Sequence, residues 1–336
     1  MSGGRSGTDG NISPPMGSEN HVHDGALVIV AIGMNPAMDR ILIVPDFKVG
    51  ETLKAESVAI LPSGKATNVA AVMHQLGAPV RFAGFVGKPE RDAYTNRLAG
   101  IPCEFAEVDG STRIDTTIID PVSGTETHVR EPGFSVEPSE VDELIDRVMD
   151  GLGPGDLVAL SGSLPPGAPL NTYANIVGEC RSKGIPVFLD SSGKAQRLSV
   201  EAIPHFMKPN RDELEELSEQ QALNTHEMVS AARDLIDRGV EQIAVSLGSD
   251  GALLVTADEA WQGIAEAPQT VNTVGCGDAF ACGWISARIA GASVREQLAE
   301  ALAVGAANAM SHGAGLIDAE HIELMRSRAK TWIVEI

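Results

Sequence analysis

The sequence predicts an α/β fold: a doubly wound, mostly parallel sheet flanked by helices with a small β-sheet lid. Three observations carry that expectation. Short β-branched runs alternate with helical patterns from residue 26 onward, and repeated β-α-β order sets strands side by side with helices on both faces. Aromatics are only 4% of a chain that is 43% hydrophobic, so its core is aliphatic. Two stretches, 41–60 and 113–129, break the alternation and read as paired extended segments.

Residues 1–25 are rich in Gly, Ser, Pro and Asn and lack an apolar stretch, which reads as a disordered tail and not a signal peptide. Residues 26–32 (ALVIVAI) form the first buried strand. Residues 68–76 carry apolar side chains at helical spacing and stop at Gly77. Residues 79–86 are the next strand, and the alternation continues through 157–160, 174–182, 187–189, 228–238 and 243–247. The two interrupting stretches alternate in polarity, as in Ile114, Thr116 and Ile118, and the second turns near 122–125. They predict a lid formed by about 40–61 and 112–130, projecting from a single domain over 26–336, with ordinary edge strands as the alternative. Residues 278–290 are apolar nearly all round and predict a buried helix, against which the Ala-rich 297–310 packs closely.

The net charge of −21 repels phosphate backbones and excludes a nucleic-acid partner, though not a small anion in a cleft. No apolar run is long enough to span a membrane. Cys103, Cys180, Cys276 and Cys282 form neither a CxxC pair nor a zinc spacing, as expected of reduced thiols in a cytoplasmic protein.

The strongest chemical signal is Thr273-Val274-Gly275-Cys276-Gly277-Asp278, leading straight into a helix. The glycines let consecutive N–H groups face one way, and the helix start adds its own, which makes a pocket for negative charge. A carboxylate there suits removal of a proton from a hydroxyl as its oxygen attacks a phosphate; a plain N-cap role for Asp278 is the alternative. Ser63-Gly64-Lys65-Ala66-Thr67-Asn68 is a second turn opening a helix, but not a Walker A loop. Lys65 there suits a substrate phosphate or an exposed helix start. Asp39 follows the first strand, where ligands meet a parallel sheet, and suits sugar hydroxyls or a surface pair with Arg40. Asn210 and Glu213, three apart at a helix start, suit Mg²⁺ with its waters or a capping box. Ser246-Leu247-Gly248-Ser249-Asp250-Gly251 suits nucleotide phosphate or a tight turn. His74, His205, His226 and His312 show no ligand spacing, and Cys276 has no nearby His partner.

Taken in order, these loops resemble the ribokinase/PfkB family of carbohydrate kinases, in its phosphosugar branch, over about residues 26–326. Asn35-Pro36-Ala37-Met38-Asp39, Ser161-Gly162-Ser163-Leu164-Pro165-Pro166-Gly167, Asp190-Ser191-Ser192-Gly193, Lys208-Pro209-Asn210 and the Asp278 loop carry the likeness. Gly84-Phe85-Val86-Gly87-Lys88 and Thr112-Arg113-Ile114 lean toward that branch. The resemblance implies ATP-dependent phosphorylation of a ketohexose phosphate, foremost fructose 1-phosphate to fructose 1,6-bisphosphate. The alternatives are fructose 6-phosphate or tagatose 6-phosphate as acceptor, an unphosphorylated sugar or nucleoside, or a non-catalytic phosphosugar sensor. It also implies Asp278 as base, an anion hole from Gly275, Cys276 and Gly277, sugar hydroxyls held by Asp39, Gly64 and Asn68, and substrate phosphate held by Lys65 and Arg113. It places the nucleotide along Asn210, Ser246, Gly248 and Gly251, with Asn308 near the adenine and Mg²⁺ governed by Asn210 and Glu213, and it implies a homodimer formed through the lid. Where the family pattern reads GGKGxN, this chain carries Ser63 and Ala66 at glycine positions. Cys276 stands for the Ala of GAGD, and Asp115 for an Asn after the lid arginine. Each added Cβ is expected to test a backbone suited to glycine.

Overall fold

The computed structural model describes residues 27–335. The expected disordered tail, residues 1–25, lies outside the described residues.

The elements run β1 (Ile29–Gly33), β2 (Ala37–Ile43), β3 (Ser57–Ser63), α1 (Lys65–Gln75), β4 (Val80–Gly87), α2 (Arg91–Arg97), β5 (Cys103–Val108), β6 (Arg113–Asp120), β7 (Thr125–Arg130) and α3 (Pro138–Asp150). They continue through β8 (Leu157–Ser161), α4 (Thr172–Ser182), β9 (Val187–Asp190), α5 (Gly193–Glu201), β10 (Phe206–Met207), α6 (Arg211–Ser218), α7 (Thr225–Asp237) and β11 (Gln242–Ser246). The last are β12 (Ala252–Val255), β13 (Ala260–Ile264), α8 (Cys276–Ile289), α9 (Val294–Ala309), α10 (Ala319–Arg328) and β14 (Lys330–Ile333).

The main sheet has ten strands in the order β14-β13-β12-β11-β10-β9-β8-β1-β4-β5. Pairing is parallel from β5 to β11 and antiparallel from β11 to β14. Strands β1 and β8 are buried along their whole length, as a sheet covered on both faces requires. The two-residue period divides their side chains between two cores. Val30 and Ile32 join Leu144, Ile176, Leu214 and Leu235 of α3, α4, α6 and α7, while Ile29 and Ala31 join Val69, Trp284, Leu302 and Met325 of α1, α8, α9 and α10.

A separate four-stranded sheet, β3-β2-β6-β7, stands at the carboxyl end of β1. Its central pair β2 and β6 is parallel, and the outer pairs are antiparallel. Both interrupting stretches of the sequence therefore pair with each other in a sheet of their own, and the edge-strand alternative does not hold. The first helix begins at Lys65, three residues before the apolar pattern announces it, because Gly64 at φ 110 turns β3 directly into it.

Candidate active site

From β1 the chain connects to β4 on one side in the sheet, while β8, β9, β10 and β11 lie on the other. That reversal opens a crevice at the strands' carboxyl ends. A cavity of about 450 Å³ occupies it, and Asn35, Ser163, Asp190, Lys208 and Ser246 line it from the ends of β1, β8, β9, β10 and β11. An isolated bridge between Asn210 and Ser246 carries the β10–β11 pairing to its edge. The small sheet closes one side with Asp39, Arg113, Asp115, His128 and Arg130. A second cleft, of about 560 Å³, lies at the amino ends of the strands. It is walled by Leu27, Trp284 and Ile285, and its Arg288 and Glu241 pair with each other at 2.7 Å, leaving little for polar chemistry.

Two helix starts aim into the crevice. Gly275 caps α8 at φ 82, a left-handed conformation that glycine adopts freely, and an added Cβ there would lie 2.9 Å from that of Ala314. The N–H groups of Gly275, Gly277 and Asp278 have no acceptor among the described residues. They join the positive end of the helix dipole. Asp278 sits in the first turn and makes no capping bond, so the N-cap alternative fails. It is 5% exposed, and its Oδ2 accepts from Asn68 Nδ2 at 2.8 Å. Burial, then the charge of Asp190, push its carboxyl up to about 6 against the pull of Lys65, Asn68 and Lys208.

Asp190 ends β9 and is 1% exposed. Lys65 Nζ meets its Oδ1 at 2.7 Å and Lys208 Nζ its Oδ2 at 3.1 Å. Burial alone would raise Asp190; the two ammonium groups overcome it and hold the carboxyl below its usual range. Lys65 is thus no free surface lysine: burial opposes its charge, yet Asp190 and Asp278 raise its pKa.

Asp39 lies in β2 and not in a surface turn with Arg40. It is buried, which pushes its carboxyl up to about 6 while the Ser63 hydroxyl draws it down. Arg113 Nη2 meets Asp115 at 3.4 Å, and its Nε donates to Pro36 O at 3.3 Å. Asn210 and Glu213 do form a capping box: Glu213 N–H donates to Asn210 Oδ1 at 2.8 Å and Asn210 N–H to Glu213 Oε2 at 2.9 Å. Both also line the cavity.

Gly64, Lys65, Asn68, Gly275 and Gly277 meet at the cavity wall, whereas Gly248, Gly251, Cys276 and Asn308 do not. Asn308 corrects an expectation. It is fully buried, its amide donating to Val274 O at 2.9 Å and accepting from Gly315 N–H at 2.9 Å. It can reach a bound base only through the backbone it holds. Burial lifts the Cys276 thiol to about 11, which keeps it inert. Neither Ser63 nor Ala66 has a positive φ, so neither forces a glycine conformation. The Ala66 methyl packs where residue 33 has no Cβ; one added there would lie 3.0 Å away.

Sequence reasoning missed the part played by Asp190 and Lys208, although the carboxyl-end rule applied to β9 and β10 would have found both. It also missed His128 and Arg130, two apart on β7, and the 2.6 Å bond from Thr273 Oγ1 to Glu126 Oε2 that ties the small sheet to the α8 loop. Among the described residues no group of three or more His, Cys, Asp or Glu could hold a metal ion, and no helix is long and apolar enough to cross a membrane.

Comparison with known proteins identifies the family. Residues 27–321 match the pfkB family of carbohydrate kinases. The 1-phosphofructokinase of Escherichia coli (strain K12) is 30% identical over 302 residues, covering 89% of this chain and 96% of its own. That of Rhodobacter capsulatus is 33% identical over 285 residues, covering 83% and 90%. The crystal structure of Escherichia coli phosphofructokinase-2 in complex with substrates and products superposes with a TM-score of 0.83 at 24% identity, covering 90% of this chain and 98% of that one, and shares the fold. The chain belongs to the pfkB family of carbohydrate kinases.

Proposed function

We propose that this chain transfers the γ-phosphoryl group of ATP to a ketohexose phosphate, foremost to the 6-hydroxyl of fructose 1-phosphate. The observation that carries this is Asp278: a buried carboxylate at a helix N-terminus, beside N–H groups without acceptors and facing a cavity that a second sheet closes. The relatives at 30% and 33% identity support the same acceptor. Asp278 takes the proton from the attacking hydroxyl, and the N–H groups of Gly275 and Gly277 hold the negative charge of the transferring group, whereas the expected third donor, the Cys276 N–H, already donates to Thr273 O at 3.3 Å. Asp39, Gly64 and Asn68 seat the sugar hydroxyls. Arg113, with Lys65, holds the substrate phosphate, and Arg130 and His128 add donors on the same wall. ATP lies along Asn210 and Ser246, with Gly248 and Gly251 shaping the turn that follows Ser246, and Asn308 shapes its base pocket through Val274 and Gly315.

The donor set at Asn210 and Glu213 fits magnesium only in one form. The Asn210 oxygen is already bonded to an N–H, which leaves one carboxylate. That suits an ion carried by nucleotide phosphates and water, with no protein cage. When bound, it neutralises charge on the transferring group. Val58, Ile60 and Val129 are more than half or about half exposed on the small sheet, which supports a homodimer through the lid.

A second acceptor class has one observation in its favour: Asp115 already pairs with Arg113, which weakens that arginine for a substrate phosphate. ADP release over fructose 1-phosphate, fructose 6-phosphate, tagatose 6-phosphate, ribose and adenosine separates the classes, read with Arg113→Ala. A preference for fructose 1-phosphate, lost through a KM raised about 10-fold or more in that variant, supports the reading. Turnover of ribose or adenosine alone, indifferent to Arg113, contradicts it.

A further inference from the structure

Ser63 ends β3 and is 2% exposed, in the cavity wall. Its carbonyl accepts from the Tyr94 hydroxyl at 2.8 Å; the same hydroxyl reaches the carbonyl of Ala37, its cross-strand partner, at 2.6 Å. The backbone at residue 63 is thereby pinned to both strands. Its own hydroxyl donates to Asn68 Oδ1 at 3.2 Å, and Asn68 Nδ2 donates to Asp278 Oδ2 at 2.8 Å. The Asp39 carboxyl, drawn down by the Ser63 hydroxyl, lines the same cavity wall.

A hydroxyl has one hydrogen, and that of Ser63 is committed to Asn68 Oδ1. Donation into Oδ1 polarises the amide and strengthens the N–H bond at its far end, to Asp278. We propose that Ser63 is a positioning residue that fixes the orientation of the Asp278 carboxylate through Asn68. The proposal rests on the role given above to Asp278. A glycine here, as in the family's loop pattern, has no hydroxyl to make the link.

The other charged and titratable groups facing the two carboxylates are unchanged by a substitution at Ser63. Asp278 faces Asp190, Lys65 and Lys208, with Cys276 on its own helix; Asp39 faces Asp115, Arg113 and Arg130. The test compares Ser63→Ala, Ser63→Gly and Ser63→Thr with the unaltered full chain and with Asp278→Asn, using ATP and the preferred sugar phosphate. Ser63→Ala and Ser63→Gly are expected to lower kcat about 10-fold with KM for ATP within about twofold, a loss at the modest end for proton-transfer groups. The acid limb of kcat moves to higher pH, because a weaker Asn68 bond holds Asp278 down less. Ser63→Thr keeps the hydroxyl and both properties. Ser63→Ala in an Asn68→Ala background adds little to the Asn68→Ala loss. A Ser63→Ala enzyme with altered melting temperature but an unmoved acid limb and kcat overturns the proposal and leaves Ser63 a packing residue. If Asp278→Asn turns over normally, the base reading falls and this inference with it. If Asp278→Asn is dead while the Ser63 variants keep the acid limb in place, this inference alone falls.

Discussion

Asn68 on α1 and Asp278 on α8 are 210 positions apart in sequence and 2.8 Å apart in space, amide to carboxylate. Both stand in the first turns of helices that aim at one crevice. The bond occupies Oδ2 of Asp278 and leaves its other oxygen for a proton. It also opposes burial, which disfavours the charged form.

The pH dependence follows in sign. Asp278 must be ionised to accept a proton, and its carboxyl lies at about 6. The rate is expected to rise with pH through about 6 and then level, measured as kcat/KM for the sugar phosphate, which reports the free enzyme. Asn68→Ala removes a group that holds the carboxyl down, so the limb moves to higher pH.

Stability should respond in the opposite direction. A carboxyl raised from 3.8 to about 6 on folding binds more protons in the folded state. Its charge therefore costs stability once pH exceeds the folded value, and the cost vanishes as pH falls below the unfolded one. Asp278→Asn is expected to gain about 1–3 kcal/mol near pH 8 and about half as much near pH 5, read from denaturant midpoints. An equal gain at both pH values contradicts the burial account.

The fold was legible where periodicity speaks. Val30 and Ile32 against Ile29 and Ala31 write the doubly covered sheet into β1, and the broken rhythm at 41–60 and 113–129 marked the second sheet. Residues 37–39 were less legible: β2 starts at Ala37, and nothing local distinguishes that strand from a turn after β1. The Asp278 loop was readable because glycine spacing before a helix has few uses. The place of Asp190 was readable from the carboxyl-end rule, but its ion pairs were not, since they depend on Lys65, 125 residues before it, and on Lys208, just after the next strand. Asn308 entered only through the family resemblance, and nothing local in the sequence shows that burial commits its amide to backbone.

The lysine pair on Asp190 should be unequal. Lys208 is 5% exposed, while the Lys65 side chain keeps 36% of its surface. Lys208→Met leaves a buried carboxylate short of one partner and is expected to cost about 2–4 kcal/mol, toward the lower range for breaking buried pairs because Lys65 remains. Lys65→Met should cost less stability and more activity, with the acceptor KM rising. Urea midpoints and steady-state kinetics on the two variants check the contrast.

The Thr273–Glu126 bond ties β7 to the loop that opens α8. Thr273→Val keeps the shape and removes the donor. Its expected effect is a three- to tenfold rise in acceptor KM, about the worth of one hydrogen bond to a charged group seen at a partly exposed site. Glu126→Ala should match it, and the double variant should add little to either single one. Additive losses would mean that the two residues act separately.

The most direct measurement is single-turnover phosphoryl transfer by Asp278→Asn with bound ATP and saturating sugar phosphate. Asn preserves size and can still accept from Asn68, so the site stays assembled. The account predicts unchanged ATP affinity and a rate lowered by about 10²–10⁴-fold, the range for loss of a general base. A rate within a few-fold of the unaltered enzyme would contradict it.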